Sequence, residues 1–165
     1  MLPKEFKDLY DLNAWLTQQL NYDPEKGFSF LNIGTGVNLK NIIAVLGNAT
    51  EFDLDNNQQQ TLQYNILIDH PVEGKRDHHQ LSILFWAFEH RQLEVIRLHF
   101  DYYKTGKDTL TFKEATNKLF DAVIQKLGEP EKKTTRQELK EISYKKGKHT
   151  LLLWLNTEGI RMQIK

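Results

Sequence analysis

The pattern that most constrains this chain occurs twice. Ala44-Val45-Leu46-Gly47-Asn48-Ala49 and Gln125-Lys126-Leu127-Gly128-Glu129-Pro130 each end a helical run of apolar residues on Leu-Gly. Each is followed by an apolar, strand-like segment that carries a Trp: Ile83-Leu84-Phe85-Trp86 and Leu151-Leu152-Leu153-Trp154. Tyr64 and Tyr144 fall 17 and 16 residues after the two glycines. A glycine just past the last turn supplies the left-handed backbone that ends a helix, and branched and aromatic residues suit a pleated, half-buried strand. The repeated order is therefore helix, then antiparallel sheet.

The first unit opens at Gly34-Thr35-Gly36-Val37-Asn38, where Asn38 or Thr35 can cap a helix with Leu39, Ile42, Ile43 and Leu46 on one face. Strands are expected over 61–68, 81–89 and 93–100, with 89–92 as a hairpin turn. The second unit begins with the capping-box spacing Thr111-Phe112-Lys113-Glu114 and runs to Gly128-Glu129-Pro130; strands follow over 139–144, 149–156 and 160–164. Ahead of both, residues 4–20 place Phe6, Leu9, Leu12 or Asn13, Leu16 and Leu20 at helical spacing, and 28–33 reads as a short strand. The expected fold class is α+β: two tandem units of short helix(es) packed on an antiparallel sheet, with an N-terminal covering helix. One domain, 1–165, would hold an N-terminal extension (4–33), a first unit (34–100) and a second (109–165). The distance from glycine to Trp is 39 residues in the first unit and 26 in the second, which places an insertion in the 70–80 loop.

Composition narrows the chemistry. With 39% hydrophobic and 11% aromatic residues the chain can offset its conformational entropy with a packed core. It has no Cys, which removes disulfides, thiolate zinc sites and cysteine nucleophiles. The N-terminus, Met1 to Asp8, carries acids and no apolar run, so it reads as neither a signal peptide nor a lipoprotein leader, and no stretch is as long as a membrane span. The cytoplasm is the expected location, with no membrane partner. Net charge is zero, but residues 1–100 hold 13 acids against 8 bases and residues 101–165 hold 9 against 14. That dipole can orient a protein partner, whereas nucleic-acid binding calls for a larger basic excess.

No motif with a complete chemistry emerges. Gly34-Thr35-Gly36 precedes a helix, but the third glycine of a dinucleotide loop would fall at Leu39 and the P-loop Lys-Ser/Thr pair is missing. Asp53, Asp55 and Asn57 have calcium-loop spacing, yet Gln58 and Tyr64 stand where that loop needs Gly and Glu. His70, His78 and His79, with Asp77 and Glu73 nearby, are the densest group of metal-type ligands, although no rigid element or helical His pair supports a site. Ser29, Ser82 and Ser143 lack a nucleophile-elbow context. The expectation is no catalytic residue, no metal and no cofactor.

What remains is surface that can bind. Trp86 and Trp154 read first as core residues of their strands and second as exposed binding aromatics. Trp15 lies off the Leu stripe of the first helix, free to cover the helix–sheet seam or to anchor a partner. The basic run from Lys132 to Lys148 suits an acidic partner. Expected partner contacts are Trp15, His70, Asp77, His78, His79, Lys145 and Lys146.

The stretch Gly36-Val37-Asn38-Leu39-Lys40-Asn41-Ile42-Ile43-Ala44-Val45-Leu46-Gly47-Asn48-Ala49, followed by Tyr- and Trp-bearing strands, resembles the Leu-Gly-x-Pro helix of the small barrel-assembly lipoproteins. In tandem it is similar to the β-lactamase inhibitor proteins. That resemblance implies a scaffold whose sheet face and loops bind another protein without catalysis. The lipid-anchor Cys and the secreted inhibitors' disulfides are both missing. The expectation is therefore a cytoplasmic bacterial immunity or inhibitor protein that neutralises a toxin or enzyme. The alternatives are an enzyme or ligand-binding protein with a pocket between helix and sheet, using His78, His79, Asp77 or His99, and a structural subunit of a secretion or envelope assembly.

Overall fold

Branched and aromatic residues favour strands along most of the chain, and strands from both of its halves assemble into one sheet. The structure, a computed structural model, describes residues 2–54, 59–68, 79–88, 92–101, 109–136, 139–156 and 159–165; at 79, 101, 109–112 and 156 it describes the backbone. In chain order the elements are β1 (Glu5–Phe6), α1 (Leu9–Gln19), β2 (Leu20–Asp23), β3 (Gly27–Phe30), β4 (Ile33–Gly34), α2 (Leu39–Leu46) and β5 (Glu51–Leu54). They continue with β6 (Gln60–Ile68), β7 (His79–Ala87), β8 (Leu93–Asp101), α3 (Thr109–Leu127), β9 (Lys132–Arg136), β10 (Leu139–Lys146), β11 (His149–Asn156) and β12 (Gly159–Ile164).

Nine strands form a single mixed sheet, ordered β1-β6-β7-β8-β12-β11-β10-β9 with β5 also on β6. The pair β1·β6 is parallel and the others are antiparallel. This corrects the expectation of two helix-on-sheet units with an N-terminal covering helix. The chain is richer in strand than that α+β arrangement, because β8 and β12 pair from Gly159↔Asp101 to Ile164↔Ile96 and fuse what would have been two sheets. Backbone groups on those two strands would otherwise lie unpaired at facing edges. Nor does the N-terminal segment only cover the sheet. Its first residues, expected to be helical, are extended, and Phe6 joins the sheet opposite Ile68. Residues 20–34 form a separate three-stranded sheet, β2-β3-β4.

Local chemistry accounts for the helix ends. Asp8 accepts a hydrogen bond from the Asp11 backbone N–H at 2.8 Å and starts α1. Asn38 does the same for Lys40 in α2 at 2.9 Å. Gly47 and Gly128, both with φ near +85°, follow the last turns of α2 and α3. Each glycine carbonyl then accepts a hydrogen bond from a sheet tyrosine, Tyr64 to Gly47 at 2.9 Å and Tyr144 to Gly128 at 2.8 Å. These two bonds tie the helix ends to the sheet.

All the helices and the small sheet lie on one face of the large sheet. Leu16, Leu119 and Val123 of α1 and α3 meet Leu81, Leu98, Phe100, Leu153, Ile160 and Met162, leaving a gap of only about 10 Å³. Phe28 of the small sheet packs on Tyr144, with ring centroids 6.2 Å apart. Trp15 is wedged between Phe6 (5.2 Å) and Phe30 (5.5 Å), so it seals the seam between α1, the large sheet and the small one. Gly27 is required where it stands: its φ is +82° and a Cβ there would overlap the ring of His149.

Candidate protein-binding face

In each long strand the inward residues are buried and the alternate ones point away from the helices. Leu62, Tyr64 and Ile66 of β6, Ile83 and Phe85 of β7 and Leu151 and Leu153 of β11 fill the core. Between them, Gln63, Leu84, Arg97, Gln163, Leu152, Ser143 and Lys132 form one continuous cross-strand row on the opposite face. A parallel row runs Asn65, Ser82, His99, Arg161, Trp154, Glu141, Thr134. Among the described residues no helix lies on this face. The first-choice reading of Trp86 and Trp154 as core residues is thereby corrected: both are only half-buried and both stand on the helix-free face.

The centre of the face is held in place by its own contacts. The Arg97 guanidinium lies 4.1 Å from the centroid of the Trp86 ring, and its Nε donates to Gln163 Oε1 at 2.6 Å. Stacking on an indole and bonding an amide fixes a side chain that would otherwise cost considerable rotamer entropy to order. Arg161 Nη1 donates to the carbonyls of Phe100 and Ile160, both at 3.1 Å. Ser82 Oγ and Gln63 Nε2 both donate to Asn65 Oδ1 at 3.0 Å. Trp86 is backed by Val95, directly across the strand pair, and its Nε1 is enclosed with no hydrogen-bond partner. Aromatic rings and preorganised guanidinium groups are what protein interfaces use as anchors.

Charge grades across the sheet. At the β5 edge Glu51 and Asp53 share the face through their pairing with Gln63 and Thr61. At the opposite edge stand Lys132 and Arg136, with Lys145 at the nearby hairpin end. Lys132 reaches Glu141 at 3.7 Å.

Of the residues expected to touch a partner, His70, Asp77 and His78 lie outside the described residues, and His79 opens β7 with only its backbone described. Lys145 and Lys146 are exposed at the tip of the β10–β11 hairpin, pointing to opposite faces: Lys145 pairs with Thr150 and Lys146 with His149. The structure does not gather them with Trp15, which is on the helix side. Sequence reasoning missed Arg97 and Arg161. Their signal was a basic residue in the middle of an apolar strand, one place out of phase with the buried positions.

Comparison of the chain with protein-family models, with curated proteins and with solved structures finds no match.

Two other features bear on function. A cleft of about 760 Å³ lies beside the small sheet and the tip of the β10–β11 hairpin, lined by Asn21, Asp23, Lys26, Thr35, Lys148 and His149 among others. Asp23 turns its carboxylate onto the backbone N–H groups of Lys26 and Glu25, which holds its pKa below the usual value. Among the described residues no three metal-type ligands converge, and no helix is long and apolar enough to cross a membrane.

Proposed function

We propose that this chain is a cytoplasmic protein-binding module of the immunity or inhibitor kind, which neutralises a toxin or enzyme by laying the helix-free face of its sheet against it. The observation that carries the reading is the set Trp86, Arg97, Arg161 and Trp154, displayed on adjacent strands with no element of the described chain above it. Two cross-strand arginines favour a partner that presents carboxylates. Where α1 and α3 pack on the sheet the gap is about 10 Å³, near the lower limit for one water, so the rival reading of a ligand pocket finds no support at that place.

The test is reconstitution. A partner recovered on the immobilised protein is identified, purified and titrated back, and its own activity is followed as the complex forms. Stoichiometric loss of that activity is expected. Trp154→Ala and Arg97→Glu should each weaken binding by at least about 30-fold, the range of a hot-spot residue, with circular dichroism unchanged. Binding that ignores both substitutions, or a bound partner that keeps full activity, would sink the reading.

A further inference from the structure

Among the described residues, two strands at opposite edges of the large sheet are complementary to each other. One is β5, Glu51-Phe52-Asp53-Leu54, and the other is β9, Lys132-Lys133-Thr134-Thr135-Arg136. On the helix-free face β5 presents only acids and β9 presents Lys132 and Arg136. On the helix side β5 leaves Phe52 61% and Leu54 57% exposed, an unusual pair of apolar side chains for an edge strand whose outward N–H and C=O groups pair with no described strand.

We propose that a second copy of this chain docks β9 onto β5, so that copies add edge to edge and continue the sheet. Topology supports this occupant. The path from β5 to β9 contains eight antiparallel strands, an even number, so the two edges run in opposite directions. A copy displaced across the sheet in the same orientation therefore presents an antiparallel strand, with helix side against helix side. Glu51 and Asp53 then meet Arg136, Thr134 or Lys132, and Phe52 lies against the aliphatic stem of Lys133 or the methyl of Thr135. Pairing between like edges is disfavoured. With faces matched, two antiparallel β5 strands place Glu51 on Asp53 or Asp53 on Asp53, and two β9 strands place cation on cation. The charges that normally keep sheet edges apart here block only the symmetric pairings. The contact is heterologous, and it propagates unless a rotation closes the ring.

Sedimentation velocity of the full chain tests this, run across a wide concentration range at low and high salt. Species larger than a dimer should appear at high concentration and shrink as salt rises. E51K/D53K and K132E/R136E, both at exposed positions, should each be monomeric, with circular dichroism and melting temperature confirming that they fold. Mixed, the first variant still offers β9 but can no longer repel K132E/R136E strands, so the two reversed edges attract and association returns. Each variant mixed with excess wild type should cap its chains at shorter length. A wild-type protein that is monomeric throughout overturns the proposal, as does self-association that survives either reversal or stops at a symmetric dimer.

Discussion

At the scale of single residues, the repeated Tyr-to-glycine bond has a measurable consequence. The Tyr144 hydroxyl is held against the Gly128 carbonyl at 2.8 Å, and burial, with the Glu129 charge adding to it, pushes its pKa up from 10.0 to about 12. A raised pKa in the folded state means that the folded protein holds this proton more tightly than the unfolded chain does. The stabilisation is therefore complete below the unfolded pKa of 10.0 and is lost as pH rises towards about 12. Tyr144→Phe should cost about 1 kcal/mol at neutral pH and should flatten the alkaline fall in stability, read as urea midpoints between neutral and strongly alkaline pH. A variant with the wild-type alkaline profile would show that this proton is not linked to folding. Tyr64 is likewise raised by burial. The spacing of the two tyrosines from their glycines was visible in the sequence, but the bonds were not, because nothing local shows which way a strand residue points.

At the scale of elements, the helices were the most legible part. Asn38, Gly47 and Gly128 stand at helix ends as their side chains or backbones dictate. The α1 stripe was ambiguous between Leu12 and Asn13, and both are buried. Asn13 faces α3, donates Nδ2 to the Ala115 carbonyl at 2.8 Å, and leaves Oδ1 enclosed without a partner. Asn13 is 6% exposed, so the orphan acceptor keeps most of its desolvation cost, about 1–3 kcal/mol. Asn13→Leu, of similar volume, should therefore leave stability unchanged or raise it by about 1 kcal/mol, whereas Asn13→Asp should lower it, because it adds a buried charge. Chemical denaturation of both variants decides this, and a large loss for Asn13→Leu would mean that the amide specifies the α1–α3 seam. The edge strands were the least legible elements. β9 contains no apolar residue, so its place comes from pairing with β10, and β5 was hidden in a polar stretch that resembled a failed calcium loop. The 70–80 loop, which holds His70, Asp77, His78 and His79 of the expected partner contacts, falls mainly outside the described residues, so the candidate site rests on strands whose outward residues carry no motif.

At the scale of the whole molecule, the recurring Leu-Gly and Trp segments suggested two sheets, and the structure has one large sheet because β8 pairs with β12. Local pattern cannot reveal that pairing: Leu93–Asp101 and Gly159–Ile164 are each plausible as an edge or as a centre strand. The distinction has energetic content. If β8·β12 were a weak contact between independent units, each half would unfold at its own midpoint. The core argues otherwise, since Leu81, Leu98 and Phe100 from one side and Leu153, Ile160 and Met162 from the other pack under the same α1 and α3 side chains. Neither half can open without stripping apolar surface from the other, each buried side chain being worth about 1.5–3 kcal/mol. Two tryptophans report on the two sides: W15F/W154F leaves Trp86 in β7, and W15F/W86F leaves Trp154 in β11. Their fluorescence transitions in urea should coincide with each other and with circular dichroism, the signature of one cooperative unit. Midpoints that separate reproducibly between the two variants, with equal melting temperatures as a control for the substitutions, would show that the fused sheet does not fold as one.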